Sequence, residues 1–187
     1  MGRGMEAPQA ETEAPNRPPR TLLVVVSLHH GSTERVARVL ARVLDAQVKS
    51  PGQVRPEELL EYDLVGLGSG IYGERHAEPL LDLGGRLPMA DGRRAFIFST
   101  SSMVMTRGAF VLSASTEEER ERIAYDHRAL RERLMSKGYV VVDEFKCKGW
   151  NTNSFLGWFG GMNRGRPSGE DLAAAEAFAE VLKRGKE

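Results

Sequence analysis

Hydrophobic positions follow two alternating patterns along the chain. Thr21 to Ser27 (TLLVVVS) is a continuous apolar, β-branched run, as expected of a strand covered on both faces. A polar loop, Leu28 to Ser32, leads into Thr33 to Asp45, where Val36, Val39, Leu40, Val43 and Leu44 recur at three-and-four spacing and predict an amphipathic helix. A short strand at Ala46 to Lys49 and a helical patch at Pro56 to Tyr62 precede a second buried strand, Asp63 to Gly68 (DLVGLG). Gly70 to Gly73 is expected to form a glycine-punctuated loop, and Glu74 to Leu87 a helix interrupted near Pro79 and Gly84-Gly85. Arg94 to Ser99 (RAFIFS) is the next strand, with its loop running on through Thr100, Ser101 and Ser102. Thr116 with Glu119 has capping-box spacing and opens a helix over Glu117 to Lys137, which Gly138 ends. Tyr139 to Lys146 supplies another strand, and Trp150 to Arg166 an aromatic, glycine-rich connection. Pro167 and Ser168 mark the start of a last helix, Gly169 to Lys183, apolar along Leu172, Ala175, Phe178, Ala179 and Leu182.

Strands alternating with helices predict an α/β fold: an open, doubly wound parallel sheet of about five strands with helices on both faces. Ligands of such sheets bind at the carboxyl ends of the strands, near the switch point. The 187 residues suit a single domain. Residues 1 to 20, rich in proline and without an apolar run, are expected to be a disordered tail with no secretory signal, leaving 21 to 187 as the domain.

Charge and cysteine content narrow the function classes. Lys plus Arg number 26 and Asp plus Glu 26, so the net charge is zero, which argues against nucleic-acid binding driven by counterion release. The longest aliphatic run, Leu22 to Val26, is far short of the roughly 20 residues that span a bilayer, so no membrane span is expected. A single cysteine, Cys147, excludes an internal disulfide, no Cys/His cluster has zinc spacing, and a reducing, cytoplasmic setting is the simpler expectation.

The loop Ser27-Leu28-His29-His30-Gly31-Ser32-Thr33 lies where the N–H groups of a helix start point at open space, a favourable place for an anion. Ser27, Ser32 and Thr33 offer hydroxyls, and Gly31 permits positive φ or close backbone approach. With no Lys or Arg in the loop, it is neither a Walker loop nor a GxGxxG turn. A plain helix cap with a tight turn explains the same residues equally well. No Ser/His/acid triad, metal motif or carboxylate pair stands out along the chain.

This loop, followed by Glu34-Arg35-Val36-Ala37, resembles the first loop of the flavodoxin-like family, which has the form Ser/Thr-x-x-Gly-Asn-Thr before a Val/Ile-Ala helix. Asp63 to Tyr72 (DLVGLGSGIY) is similar to that family's third strand and second flavin loop, and Phe96 to Ser101 (FIFSTS) to its fourth strand and third loop. Cys147 to Thr152 and Gly160 to Pro167 resemble the C-terminal segment of a prokaryotic subgroup. The resemblance extends from Thr21 to Leu182. It implies a five-stranded sheet in the order 2-1-3-4-5 and an FMN cofactor. The phosphate falls to Ser27, His30, Gly31, Ser32 and Thr33, with Ser32 standing where the family has Asn. The flavin ring falls to Ser69, Gly70, Ile71, Tyr72 and Gly73, with Tyr72 as stacking candidate, and to Ser99, Thr100, Ser101 and Ser102.

The implied function is one- or two-electron transfer, with redox proteins or small quinone-like acceptors as partners. Flavodoxins are strongly acidic, and negative charge disfavours the fully reduced flavin anion; the neutral charge here implies a less negative second potential. A flavin-dependent oxidoreductase of the quinone reductase or protoporphyrinogen oxidase type, and a scaffold of the same fold without FMN, remain open as alternatives.

Overall fold

A computed structural model describes residues 19–28, 31–101, 117–150 and 165–185. Five strands form one parallel sheet: β1 (Thr21–Val26), β2 (Ala46–Lys49), β3 (Leu64–Tyr72), β5 (Arg94–Ser101) and β6 (Val140–Lys148), in the spatial order β2-β1-β3-β5-β6. The two-residue β4 (Arg75–His76) pairs antiparallel with the end of β3. Leaving β4 aside, the order is the expected 2-1-3-4-5. The helices are α1 (Ser32–Leu44), α2 (Glu78–Arg86), α3 (Glu117–Ser136) and α4 (Gly169–Arg184), with short 3-10 turns at Pro51–Gln53 and Pro56–Glu61. Among the described residues no helix is long and apolar enough to cross a membrane.

The central strands are apolar on both sides because both faces are covered. One core joins Leu22, Val24, Val65, Leu67, Ala95 and Ile97 of the sheet to Leu80, Leu81 and Leu83 of α2 and Leu130 and Leu134 of α3. The other joins Leu23, Phe96, Phe98 and Phe145 to Val36, Ala37, Leu40 and Val43 of α1 and Ala175, Phe178, Ala179 and Leu182 of α4. Each fully buried aliphatic or aromatic side chain of this kind contributes about 1.5 to 3 kcal/mol. The chain passes from the α1 face to the α2 face between β1 and β3, so these neighbours flank the switch point.

Two expectations are corrected. Gly70 to Tyr72 is not loop: β3 continues through Tyr72 and turns back into β4, pairing Ile71 with His76 and Tyr72 with Arg75. The two residues between, Gly73 and Glu74, have φ of 56° and 65°, the positive values of a type I′ hairpin turn. The helix that follows starts at Glu78, because Pro79 stands in its first turn, where a missing N–H is harmless; it is not a break. The Gly84-Gly85 pair lies inside that helix, and Gly84 lets α2 approach Leu130 of α3 closely. Thr116, the expected cap of α3, lies outside the described residues.

The remaining boundaries shift by a residue or two, as element ends do. The expected disordered tail lies outside the described residues up to position 18. Arg20 is held to the sheet: its N–H donates to Asp63 Oδ2 at 2.7 Å, and its carbonyl accepts from Asp63 N at 3.0 Å.

Candidate functional site

The first loop leaves β1 at Val26 and enters α1 through Gly31, whose φ of 63° is the left-handed conformation that glycine adopts without strain. Among the described residues no side chain caps this helix start, so its amide groups stay available to an anion. The Ser27 hydroxyl beside it is buried and has no hydrogen-bond partner among the described residues. A buried, unsatisfied hydroxyl is costly unless something else satisfies it. Together these features fit a bound phosphate. Ser32 and Thr33 are used differently. Ser32 Oγ accepts from Trp150 N at 3.2 Å and lies 3.4 Å from the Arg166 carbonyl, while Thr33 Oγ1 is 2.8 Å from Thr100 Oγ1. They tie the first loop to the third, to Trp150 just after β6 and to Arg166 just before α4.

Register places the second and third loops alongside. Val26 pairs with Ser69, Gly70 with Thr100, and Ser101 with Lys148, so the loop ends follow one another along the carboxyl edge of β1, β3, β5 and β6. Ser69, Gly70, Ile71 and Tyr72 lie on β3, Gly73 in the hairpin turn, and Ser99, Thr100 and Ser101 on β5. His30 and Ser102 lie outside the described residues. The Tyr72 ring folds over Gly70, where a Cβ would come within 2.5 Å of its hydroxyl. That hydroxyl also has a backbone hydrogen bond at Leu28, so the ring bridges the second loop to the first; burial raises its pKa.

The hydroxyls of Ser69 and Ser99 face away from this edge, into the sheet's α3 side. Ser69 Oγ is 2.8 Å from His76 Nδ1 and accepts from Ala77 N at 3.0 Å. Ser99 Oγ is 2.7 Å from His127 Nε2, and His127 Nδ1 is 3.1 Å from Glu144 Oε2. A carboxylate only accepts, so the proton of a neutral His127 sits on Nδ1, and Nε2 accepts from the Ser99 hydroxyl. Hydroxyl, imidazole and carboxylate thus stand in the order of a hydrolase triad. Ser99 and His127 are both 0% exposed, however, which leaves a substrate no approach.

Arg131 grips the same carboxylate with both Nε and Nη2. Lys146, buried beside it, is paired with the buried Asp126. Burial lowers the pKa of both histidines, His76 most strongly; Glu144 opposes the shift at His127, and Lys146 reinforces it at both. Burial alone would raise the pKa of Glu144, but hydrogen bonds from His127 and Arg131 hold it below the ordinary value.

None of His76, His127, Glu144 and Lys146 was marked by the motifs. Their one signal in the sequence is a polar residue at a position the pattern turns inward: Asp126-His127 between Ile123 and Leu130, and Glu144 and Lys146 alternating with Phe145 and Cys147. Cys147 is buried at the end of β6, and burial pushes its thiol pKa up, away from reactivity.

No family model matches the sequence. It is 32% identical over 163 residues to the uncharacterized protein MJ0298 of Methanocaldococcus jannaschii, covering 87% of this chain and 97% of that protein. Among solved structures, oxidised Flavodoxin 2 from Bacillus cereus superposes with a TM-score of 0.59 at 20% identity, covering 90% of this chain and 99% of that one. A short-chain flavodoxin associated with a non-canonical PDU bacterial microcompartment gives 0.60 at 16%, with the same coverage. The chain therefore belongs to the same family as the Methanocaldococcus protein and has a flavodoxin-like fold.

Proposed function

We propose that the chain binds FMN at the carboxyl edge of its sheet and acts in electron transfer, with redox proteins or small quinone-like acceptors as partners. The observation that carries this is the start of α1: a glycine-shaped, uncapped helix N-terminus beside the buried, unpartnered hydroxyl of Ser27, at the switch point between β1 and β3. The flavodoxins among the similar structures support the same cofactor. FMN, when bound, supplies the redox chemistry. The chain's own part is to hold and orient it. The amides of the first turn of α1 and the Ser27 hydroxyl receive the phosphate, and the side chain of Tyr72 and the backbone of Gly70 to Gly73 border the ring. The Thr33–Thr100 contact keeps the first and third loops together. A cytoplasmic setting suits this role.

The test is a visible spectrum of the purified protein, followed by titration of cofactor-stripped protein with FMN while flavin fluorescence is read. Bound flavin, or quenching that saturates at one equivalent, is expected. Absence of both overturns the proposal and leaves the first loop as a generic anion or partner site.

A further inference from the structure

Beneath the second and third loops, two buried imidazoles close a ring of contacts between neighbouring strands. Ser69 of β3 and Ser99 of β5 are register partners. Ser69 is bonded to His76 at the end of the hairpin, Ser99 to His127 of α3, and the two imidazole rings lie 4.9 Å apart, tilted by 41°. We propose that His76 and His127 are positioning residues that join the β3–β4 hairpin to the carboxyl end of β5, so that the two loops hold together at neutral pH and loosen together on acidification. Its consequence for a ligand rests on the FMN reading above; its mechanical part does not.

The surroundings decide what a proton would do. Charged groups near the pair come from β6, as Glu144 and Lys146, and from α3, as Asp126 and Arg131, with Glu119 buried on the same helix and Arg122 against Asp126. β3 and β5 face it with the hydroxyls of Ser69 and Ser99, and the buried residues of α2 are Leu80, Leu81, Leu83 and Gly84, none of them titratable. Each charge is already matched: Lys146 by Asp126, Arg131 by Glu144. A proton on His127 shares Glu144 with Arg131. A proton on His76 finds no acceptor among the described residues, because Nε2 is buried without a partner and the positive charges of a protonated His127 and of Lys146 both oppose it. His76 is therefore protonated only by leaving its place, and it takes β4 away from α3 as it does so.

Outside the buried layer the hairpin is held at its turn by α3. Glu74 accepts from Arg122 at 3.3 Å and from the Tyr125 hydroxyl at 3.1 Å, contacts open to water. Exposed pairs of this kind are weak, so the buried imidazole contact sets the balance.

Backbone amide exchange of the flavin-free protein, corrected for intrinsic rates, tests the mechanical part. Between about pH 7.5 and pH 5.5, protection of residues 70–77 is expected to fall by about tenfold, one pKa unit of linkage, while α1 holds. In His76→Gln the fall is expected to shrink to within about twofold. Hairpin protection that ignores pH, or an equal fall in the variant, overturns the proposal. Should the variant not fold, the wild-type series still decides, because equal loosening of the hairpin and α1 overturns it too.

FMN titration over the same range supplies the second readout. Wild-type affinity is expected to fall more steeply with acid than that of His76→Gln, the titration of the FMN phosphate being common to both. Parallel curves overturn the coupling to the ligand. A wild type that takes up no FMN at any pH overturns the cofactor reading instead, and the exchange experiment then stands alone.

Discussion

Ser27, Ser69 and Ser99 carry one side chain into different situations. The Ser27 hydroxyl is buried without a partner, whereas those of Ser69 and Ser99 are committed to His76 and His127. Ser27→Ala is therefore expected to leave stability within about 0.5 kcal/mol, since no internal hydrogen bond is lost. The same change is expected to weaken FMN binding by roughly tenfold or more, the loss of a hydrogen bond to a charged group being about 1.5 to 3 kcal/mol. Ser69→Ala and Ser99→Ala reverse the pattern: each strands a buried imidazole nitrogen and is expected to destabilise the fold by about 1 to 3 kcal/mol. Urea midpoints and FMN titration on the same variants check both halves. The sequence marks all these hydroxyls alike, because residue type and loop position are all it offers there. Which face each one takes depends on how far the strands run. Their partners stand 7 and 28 residues away, too far for local spacing to indicate.

At the scale of elements, the strands and helices of both layers were legible because burial on both faces leaves continuous apolar runs, and burial on one leaves three-and-four spacing. The hairpin was not. Gly70 looks like punctuation, yet with Gly66 and Gly68 of the expected strand it belongs to β3, and the lack of a side chain at all three makes room for neighbouring rings. A Cβ on Gly66 would lie 2.4 Å from the Phe96 ring, and one on Gly68 2.2 Å from that of Phe98, each being the cross-strand partner. Gly68→Ala is accordingly expected to cost about 1 to 3 kcal/mol through overpacking, whereas Gly52→Ala, where a Cβ meets nothing within 4 Å, stays within about 0.5 kcal/mol. Thermal or urea unfolding of the two variants separates steric room from the general cost of glycine. The run EEERER at the start of α3 has the charge pattern of a solvated face, and most of it is exposed; but Glu119 is buried, and Arg122 reaches Glu74 of the hairpin and Asp126. A charge pattern along one helix does not reveal which of its members a hairpin elsewhere will meet.

The whole molecule carries no net formal charge at pH 7, so near neutrality its response to pH comes from particular buried groups rather than from general repulsion. His76 and His127 have native pKa values below the unfolded value of 6.5. Below that value the unfolded chain binds protons that the folded chain does not, so stability falls as pH drops from about 6.5 toward the lowered native values. Glu144, held below the ordinary carboxylate value of 4.5, acts in the same direction in a lower window, starting near that value. Asp143 opposes it: burial raises its pKa, so the folded chain binds that proton first and gains stability as pH falls past the raised value. The losses are thus staged, imidazoles first and carboxylates partly cancelling afterwards. The unfolding temperature followed by circular dichroism from pH 8 to pH 4 is expected to start declining near pH 6.5. In a His76→Gln/His127→Gln double variant it should stay level until the carboxylate window is reached. A wild-type curve that is flat down to pH 5, or a double variant that declines as early as the wild type, would show that the imidazole pair does not govern the acid stability of the fold.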